Sequence, residues 1–204
     1  MQLYFTPGTI SIAVAIALEE AGLPYESVQV DFASAEQTKP AYHQINPKGR
    51  VPALVVEGGI LTETGALLDY IADLAPEAGL RPEDALQQAR MREVMYYLAS
   101  TMHVNHAHKM RGSRWATQQS SFDDMAAKVP ETMATSAAYI SENGLRGPFV
   151  LGEKISLADC YLFVVCNWLE GDGVSIADYP KIQEFMTAME QRASVQAVRA
   201  KSML

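Results

Sequence analysis

The sequence predicts an α/β N-terminal domain of element order β-α-β-α-β-β-α, followed by an all-α C-terminal domain. Two observations predict this division. Up to Leu80 short alternating segments mix with one strongly apolar helical run, whereas beyond it nearly everything recurs with helical period. Pro76, Gly79 and Pro82 punctuate the join. In order, Gln2 to Phe5 reads as a strand, Ser11 to Ala21 as an apolar helix, and Tyr25 to Val30 alternates as a second strand. A short helical or irregular piece covers 35–44. Ala53 to Val56 and Ile60 to Leu61 form a hairpin about Gly58-Gly59, and a helix runs from about Glu63 to Leu74. The domains are therefore expected at 1–78 and 85–204. Within the second, Pro130, the stretch Gly144 to Pro148 and the stretch Gly171 to Pro180 are the expected helix breaks. No internal repeat or low-complexity segment is present.

Composition bounds the function classes. The 204 residues are 49% hydrophobic and 20% charged, enough for a sizeable core in one domain or two small ones. No apolar run approaches the ~18 residues of a membrane span, and the first residues lack the blocks of a signal peptide, so a soluble cytoplasmic protein is expected. A net charge of -8 argues against nucleic acid or an anionic membrane as main partner, because phosphate binding draws on clustered Lys and Arg. Cys160 and Cys166 sit on different faces of one helical segment and are expected to be buried, reduced packing residues.

Asn46-Pro47-Lys48-Gly49-Arg50-Val51-Pro52-Ala53-Leu54 is the most informative stretch. Pro52 opens a strand without a backbone N–H, which leaves Val51 with its own N–H and C=O free to pair with a peptide-like ligand. Ten residues on, Glu63 and Thr64 begin a helix, where unpaired N–H groups and the positive dipole end favour an anion. Taken alone, an acid in a first helical turn is equally an ordinary cap, favourable by ~0.3–1 kcal/mol.

The element order, with a proline opening the third strand and a helical domain after it, resembles the cytosolic glutathione transferases. Tyr4-Phe5-Thr6-Pro7-Gly8-x-x-Ser11, the central stretch from Asn46 to Leu54, and Ile155-Ser156-Leu157-Ala158-Asp159-Cys160-Tyr161-Leu162 are most similar to the bacterial, beta-like branch. The resemblance spans the whole chain. It implies a thioredoxin-like first domain that binds glutathione as co-substrate, with Pro52 cis and Val51 pairing its backbone with the cysteinyl part. It also implies that Glu63 and Thr64 hold the γ-glutamyl end, and that the helical domain completes the electrophile site and forms a homodimer.

Catalysis in such an enzyme presents glutathione as a thiolate. Lowering a thiol pKa of ~8.5 by about two units takes roughly 2.7 kcal/mol of preferential thiolate stabilisation. One charge-assisted hydrogen bond of ~1.5–3 kcal/mol plus a helix dipole supplies it. The beta-like enzymes carry a cysteine at the position of Ile10, so cysteine chemistry is excluded there. Three hydroxyls remain as candidates: Ser11, which opens the helix and matches a serine of many beta-like members; then Thr9, which aligns with the serine of the serine-type classes; then Tyr4, which lies where tyrosine-type classes keep theirs. Ser11 and Tyr4 also have plain structural readings, as a helix cap and as a packing residue.

In the helical half, His103 and His106 share a helix face, with Lys109, Arg111, Arg114 and Trp115 following. A metal site needs three or four converging ligands, and no cysteine or paired acid is near, so no metal is expected. The resemblance gives His103 the place of a histidine lining the electrophile cleft. His106, Arg111 and Trp115 join it as candidates, with the cations able to select a carboxylate-bearing co-substrate. Ser156 and Asp159 have the spacing of a capping box, a folding role. Met91, Met95 and Met102, with Tyr96 and Tyr97, are expected in core or subunit interface. Two kinds of function fit: a glutathione transferase, or a relative using glutathione for isomerisation or dehalogenation; and a non-catalytic binding protein on the same fold.

Overall fold

The computed structural model describes residues 1–204. Two compact units emerge, one of Met1–Glu83 with Met189–Leu204, the other of Asp84–Ala188. In the first, strands β1 (Gln2–Phe5), β2 (Glu26–Gln29), β3 (Ala53–Val56) and β4 (Gly59–Thr62) form one sheet in the order β2-β1-β3-β4. β1 runs parallel to β2 and antiparallel to β3, and β3 pairs antiparallel with β4. A parallel β1–β2 pair requires a crossover, which helix α1 (Ser11–Glu20) provides. Alternation puts Leu3 and Phe5 of β1 inside.

α1 is apolar all round because it is buried all round: every residue from Ser11 to Leu18 is inaccessible. It packs on α3 (Thr64–Leu74) and on the terminal helix α9 (Ala193–Ala200). Between β2 and β3 lie a 3-10 turn at Glu36–Thr38 and the four-residue helix α2 (Pro40–His43), in the segment expected to be short and helical.

Met189–Leu204, within the helical stretch expected at 85–204, packs with the first unit. The reason is a set of polar straps onto α1. Arg192 Nε and Nη2 reach the two Glu20 carboxylate oxygens at 2.5 and 2.7 Å, and the Ser194 hydroxyl donates to Glu20 at 2.5 Å. Lys201 Nζ lies 2.5 Å from Glu19 and 4.3 Å from the centre of the Tyr25 ring. Finally, the buried Met203 offers its carbonyl to the Gly8 N–H at 3.0 Å. Burial opposes the Glu20 charge, but Arg192 and Ser194 overcome it and hold the carboxyl below its usual range. Glu20→Ala is expected to cost about 1–3 kcal/mol at pH 7, read as a lower urea midpoint with unchanged slope. Because the folded-state pKa is lowered, the Glu20 contribution is present above the ordinary glutamate range and fades as pH falls through the folded value. The difference between wild type and variant therefore shrinks in acid.

The second unit is helical throughout. Its elements are α4 (Ala85–Tyr97), α5 (His103–Ala107), α6 (Gln119–Tyr139), α7 (Leu157–Cys166) and most of α8 (Pro180–Glu190). Asp84 caps α4 by accepting the Gln87 N–H at 2.9 Å. A wide π turn, Leu98–Met102, joins α4 to α5 and resets the helical register just before His103. α7 is buried along its whole length and packs on α4. Both cysteines lie there, fully buried and in no disulfide, and burial pushes the Cys166 thiol up. Met91, Met95 and Met102 are buried core, Tyr97 packs on Tyr139 with ring centres 4.5 Å apart, and Tyr96 is exposed.

Pro130, whose missing N–H predicts a break, lies inside α6. Its ring is exposed and Ala126 is half-buried, so water can reach the carbonyl that loses its partner. Val129 and Met133, buried on either side, hold the two parts of the helix to the same core. The expected breaks after Gly144 and after Gly171 are present, the latter as two 3-10 turns at Glu170–Asp172 and Ile176–Asp178.

Asp159 organises the entry to α7. One carboxylate oxygen accepts the Val150 N–H at 2.7 Å, and the other accepts both the N–H and the hydroxyl of Ser156 at 2.7 Å. The capping box expected from Ser156 and Asp159 is thus formed, and it reaches beyond its own helix to Val150.

Candidate active site

One row of the sheet brings the candidate residues of the first unit together. Tyr4 of β1 stands opposite Ala53 of β3, and Ala53 opposite Thr62 of β4. β1 and β4 leave the sheet just beyond that row, and β3 enters just before it. The Thr6–Ser11 loop, Val51-Pro52 and Glu63-Thr64, distant in sequence, therefore meet at one end of the sheet.

The central motif fixes the entry to β3. Asn46 is buried; its amide donates to the Arg50 carbonyl at 2.6 Å and its side-chain oxygen accepts the Lys48 N–H at 3.1 Å. The Tyr42 hydroxyl donates to the same carbonyl at 2.7 Å, and burial first, then Tyr4 and Glu36, push its pKa up to about 12, so it remains a donor. Gly49 has φ of 62°, and a Cβ there would lie 3.0 Å from the Gln37 carbonyl, so backbone conformation and close approach both call for glycine. With Arg50 held and the β1–β3 register ending at Ala53, the N–H and C=O of half-exposed Val51 take no part in the ladder. The Val51–Pro52 peptide is cis.

At the start of α3, Glu63 occupies the cap position with φ of 72°, a conformation that L residues avoid and that recurs at ligand clamps. The first internal helix bond runs from the Leu67 N–H to the Glu63 carbonyl at 3.0 Å, which leaves the N–H groups of the first turn pointing outward. The Glu63 carboxylate, 69% exposed, sits 2.5 Å from Lys48 Nζ, which also reaches the Thr62 hydroxyl at 2.7 Å. Sequence pattern alone singles out neither Lys48 nor the strained Glu63 backbone, since both depend on the β3–β4 pairing.

The three candidate hydroxyls differ sharply. Ser11 is the first residue of α1, with Ile10 at the cap position, and it is 0% exposed. Thr9 is half-exposed and lies 2.6 Å from Ser11 Oγ. Thr9 donates to the Thr6 carbonyl at 2.7 Å, and the Thr6 N–H donates to Ser11 Oγ at 3.3 Å. With Ser11 donating to Thr9, these three bonds close a ring of residues 6, 9 and 11. Gly8 at the crest has φ of 71° and is fixed by the Met203 carbonyl. Tyr4 is half-buried, its ring edge-on to Tyr42 at 6.0 Å. Of the two linked hydroxyls, Ser11, which motif position puts first, is fully buried, and Thr9 is the more exposed.

In the second unit, His103 and His106 both lie against Trp168, with ring centres 5.0 and 4.2 Å away, the latter stacked at 18°. His106 Nδ1 is 2.7 Å from Asp172 Oδ2, and Lys109 Nζ lies 3.4 Å from Asp172 Oδ1 and also donates to the Gly171 carbonyl. Asp172 stands far along the chain in the 3-10 turn, a pairing no local pattern signals. Arg111 and Trp115 follow in the next turn, where Trp115 packs edge-on against His108 at 4.5 Å. No three His, Cys, Asp or Glu side chains are grouped as a metal ion needs.

Comparison with known proteins identifies the family. Residues 1–73 match the glutathione S-transferase N-terminal domain and residues 105–202 the glutathione S-transferase C-terminal domain. A glutathione transferase homologue from Sulfitobacter, solved with bound glutathione, is 70% identical with a TM-score of 0.98, covering 100% of this chain and 98% of that one. The beta class glutathione S-transferase of Sphingomonas chungbukensis is 30% identical with a TM-score of 0.84, each chain fully covered. Glutathione S-transferase GST-4.5 of Xanthomonas campestris pv. campestris is 30% identical over 202 residues, 97% of this chain and 96% of that protein. The chain belongs to the glutathione S-transferase family, among bacterial members that include the beta class.

Proposed function

We infer that the protein is a glutathione transferase, which binds glutathione as co-substrate on its first unit and activates the thiol for attack on an electrophilic small molecule. The observation that carries this reading is the single sheet row that gathers an unpaired main-chain segment, a helix start beside an acid, and a hydroxyl loop. Each matches one part of the tripeptide thiol. Val51 N–H and C=O pair with the cysteinyl backbone. The α3 N-terminus, with Thr64, receives the γ-glutamyl carboxylate, and Glu63 receives the ammonium. Lys48, now on Glu63, forms an exposed pair worth at most about 1 kcal/mol, so a ligand ammonium displaces it at little cost. Thr9 turns its single hydroxyl proton from the Thr6 carbonyl to the sulfur, while Ser11 donates to it from behind; Tyr4 is the remaining candidate.

The electrophile is met by His103, His106, Arg111 and Trp115 of the helical unit. Exposed Leu86 and Tyr96 on α4 support a homodimer. No helix is long and apolar enough to cross a membrane. A cytoplasmic place and a detoxification role complete the reading.

Retention on immobilised glutathione, followed by conjugation of 1-chloro-2,4-dinitrobenzene, tests it. Glu63→Ala is expected to raise the glutathione concentration for half-saturation about tenfold or more, through loss of one charge-assisted hydrogen bond. A larger effect on kcat than on KM would remove Glu63 from ligand binding. Ile10, in place of the beta-class cysteine, is the one observation favouring a non-catalytic binding protein; retention without turnover is the result expected from that second reading.

A further inference from the structure

We propose that Met203 is a positioning residue of the thiol site: its carbonyl locks the turn that presents Thr9, so that ionisation of bound glutathione depends on the segment following α9. This rests on the transferase reading, and every residue in it belongs to the first unit. Thr6-Pro7-Gly8-Thr9 is a tight turn, closed by the Thr9 N–H on the Thr6 carbonyl at 3.3 Å. Proline in second place and glycine in third, with the Gly8 φ at 71°, are the marks of a type II turn. A type I turn joins the same two ends with the peptide between the middle residues turned over by roughly 150–170°. The two forms therefore differ chiefly in where the Pro7–Gly8 peptide points its carbonyl and its N–H. Met203 accepts that N–H at 3.0 Å, and the type I form would break the bond. Gly8 is exposed, so water can satisfy its N–H in either form; what the Met203 carbonyl adds is direction.

The segment after α9 is shaped to deliver that carbonyl. The helix ends in a Schellman motif, with the Met203 N–H on the Val198 carbonyl at 3.1 Å and the Ser202 N–H on the Arg199 carbonyl at 2.8 Å. The motif requires a left-handed residue, usually glycine, and Ser202 takes that place with φ of 55°. Met203 is thus held by its N–H and by a side chain that is 0% exposed, which leaves its carbonyl to face Gly8. α9 itself is strapped to the end of α1 by Arg192 and Ser194 on Glu20 and by Lys201 on Glu19. Thr9 follows Gly8 directly, and its hydroxyl lies 2.7 Å from the Thr6 carbonyl and 2.6 Å from Ser11 Oγ. Turning over the preceding peptide moves that hydroxyl relative to both partners and to the sulfur, and a hydrogen bond weakens steeply with angle.

The test uses the full-length protein, with thiolate absorbance of bound glutathione as the readout. Ser202→Pro, at an exposed position, cannot take a positive φ and has no N–H for Arg199, so it swings the Met203 carbonyl off Gly8 while the Met203 side chain is retained. The pKa of bound glutathione is expected to rise by about one unit, a roughly tenfold smaller thiolate fraction at pH values below it, while affinity for S-methylglutathione, which has no thiol proton, changes little. Gly8→Ala, whose added carbon meets nothing within 4 Å, disfavours the same turn from the other side. Because both act on one peptide, the double variant shifts the pKa no further than the larger single change. Met203→Ala removes the buried side chain and keeps the carbonyl, and it lowers stability without a comparable shift. In the wild type the Gly8 amide is expected to be protected from hydrogen exchange in spite of its exposure. An unshifted pKa in Ser202→Pro, an equal shift in Met203→Ala, additive shifts in the double variant or an unprotected Gly8 amide overturns the proposal. Failure of the wild type to be retained on immobilised glutathione overturns the transferase reading instead.

Discussion

Asp159→Ala is expected to cost about 3–5 kcal/mol of folding stability. The carboxylate is fully buried and satisfies the N–H groups of Val150 and Ser156 and the Ser156 hydroxyl. Removing it strands two buried backbone donors, each worth about 1–3 kcal/mol unsatisfied, and loosens the Val150 segment from the start of α7. Domains of this size hold roughly 5–15 kcal/mol in total, so soluble yield should fall as well. A urea midpoint within about 1 kcal/mol of wild type would show that water replaces the carboxylate. Burial raises the Asp159 pKa to about 6, outweighing the hydrogen bonds from Val150 and Ser156 that lower it. A folded-state pKa above the unfolded one makes folding take up a proton between about pH 4 and 6. The contribution of this group is therefore complete below the ordinary aspartate range and is lost as pH rises through about 6. Between pH 7 and pH 5 wild type should gain about 1 kcal/mol relative to Asp159→Asn, which cannot titrate. Glu20 runs the other way, so the two carboxyls give the chain opposing pH slopes in acid.

Thr9→Val should raise the pKa of bound glutathione by about two units, since it removes the outward hydroxyl at the head of α1. At pH 6 that leaves about a hundredth of the thiolate, and conjugation slows accordingly. Ser11→Ala should move the pKa by less, because Thr9 stays and only its supporting donor at 2.6 Å is lost. Thiolate absorbance of the glutathione complex measures both. If Ser11→Ala shifts it and Thr9→Val does not, the buried hydroxyl is reached by a moved loop and the order returns to the motif-based one. If neither shifts it, the activating group lies elsewhere. Valine matches threonine in shape, so a general loss of packing is not the expected cause.

The legible parts of the chain were those that local chemistry controls. The alternation of Gln2–Phe5, the apolar run from Ser11, the hairpin glycines and the Ser156–Asp159 spacing each specify their element within a few residues. The placement of Val51 beside Glu63 was visible only through resemblance, because the register that aligns Tyr4, Ala53 and Thr62 is a long-range property. Pro130 misled because its penalty is set by water access at Ala126, which a residue pattern does not encode. Motif position puts Ser11 above Thr9 and carries no information on the burial that encloses Ser11 and leaves Thr9 half-exposed. Asp172 had no signal at all, being brought to His106 by the path of the chain after α7.

The return of the last residues to α1 also has a bearing on biosynthesis. A ribosome adds Met203 only after the whole of Asp84–Ala188, so the sheet unit emerges first yet cannot be completed until the helical unit has been made. The helical unit, whose contacts close within Asp84–Ala188, is free to fold while its predecessor waits. During that interval the α1 surface that α9 will cover stays open in the nascent chain, and an early stop codon would leave it so permanently.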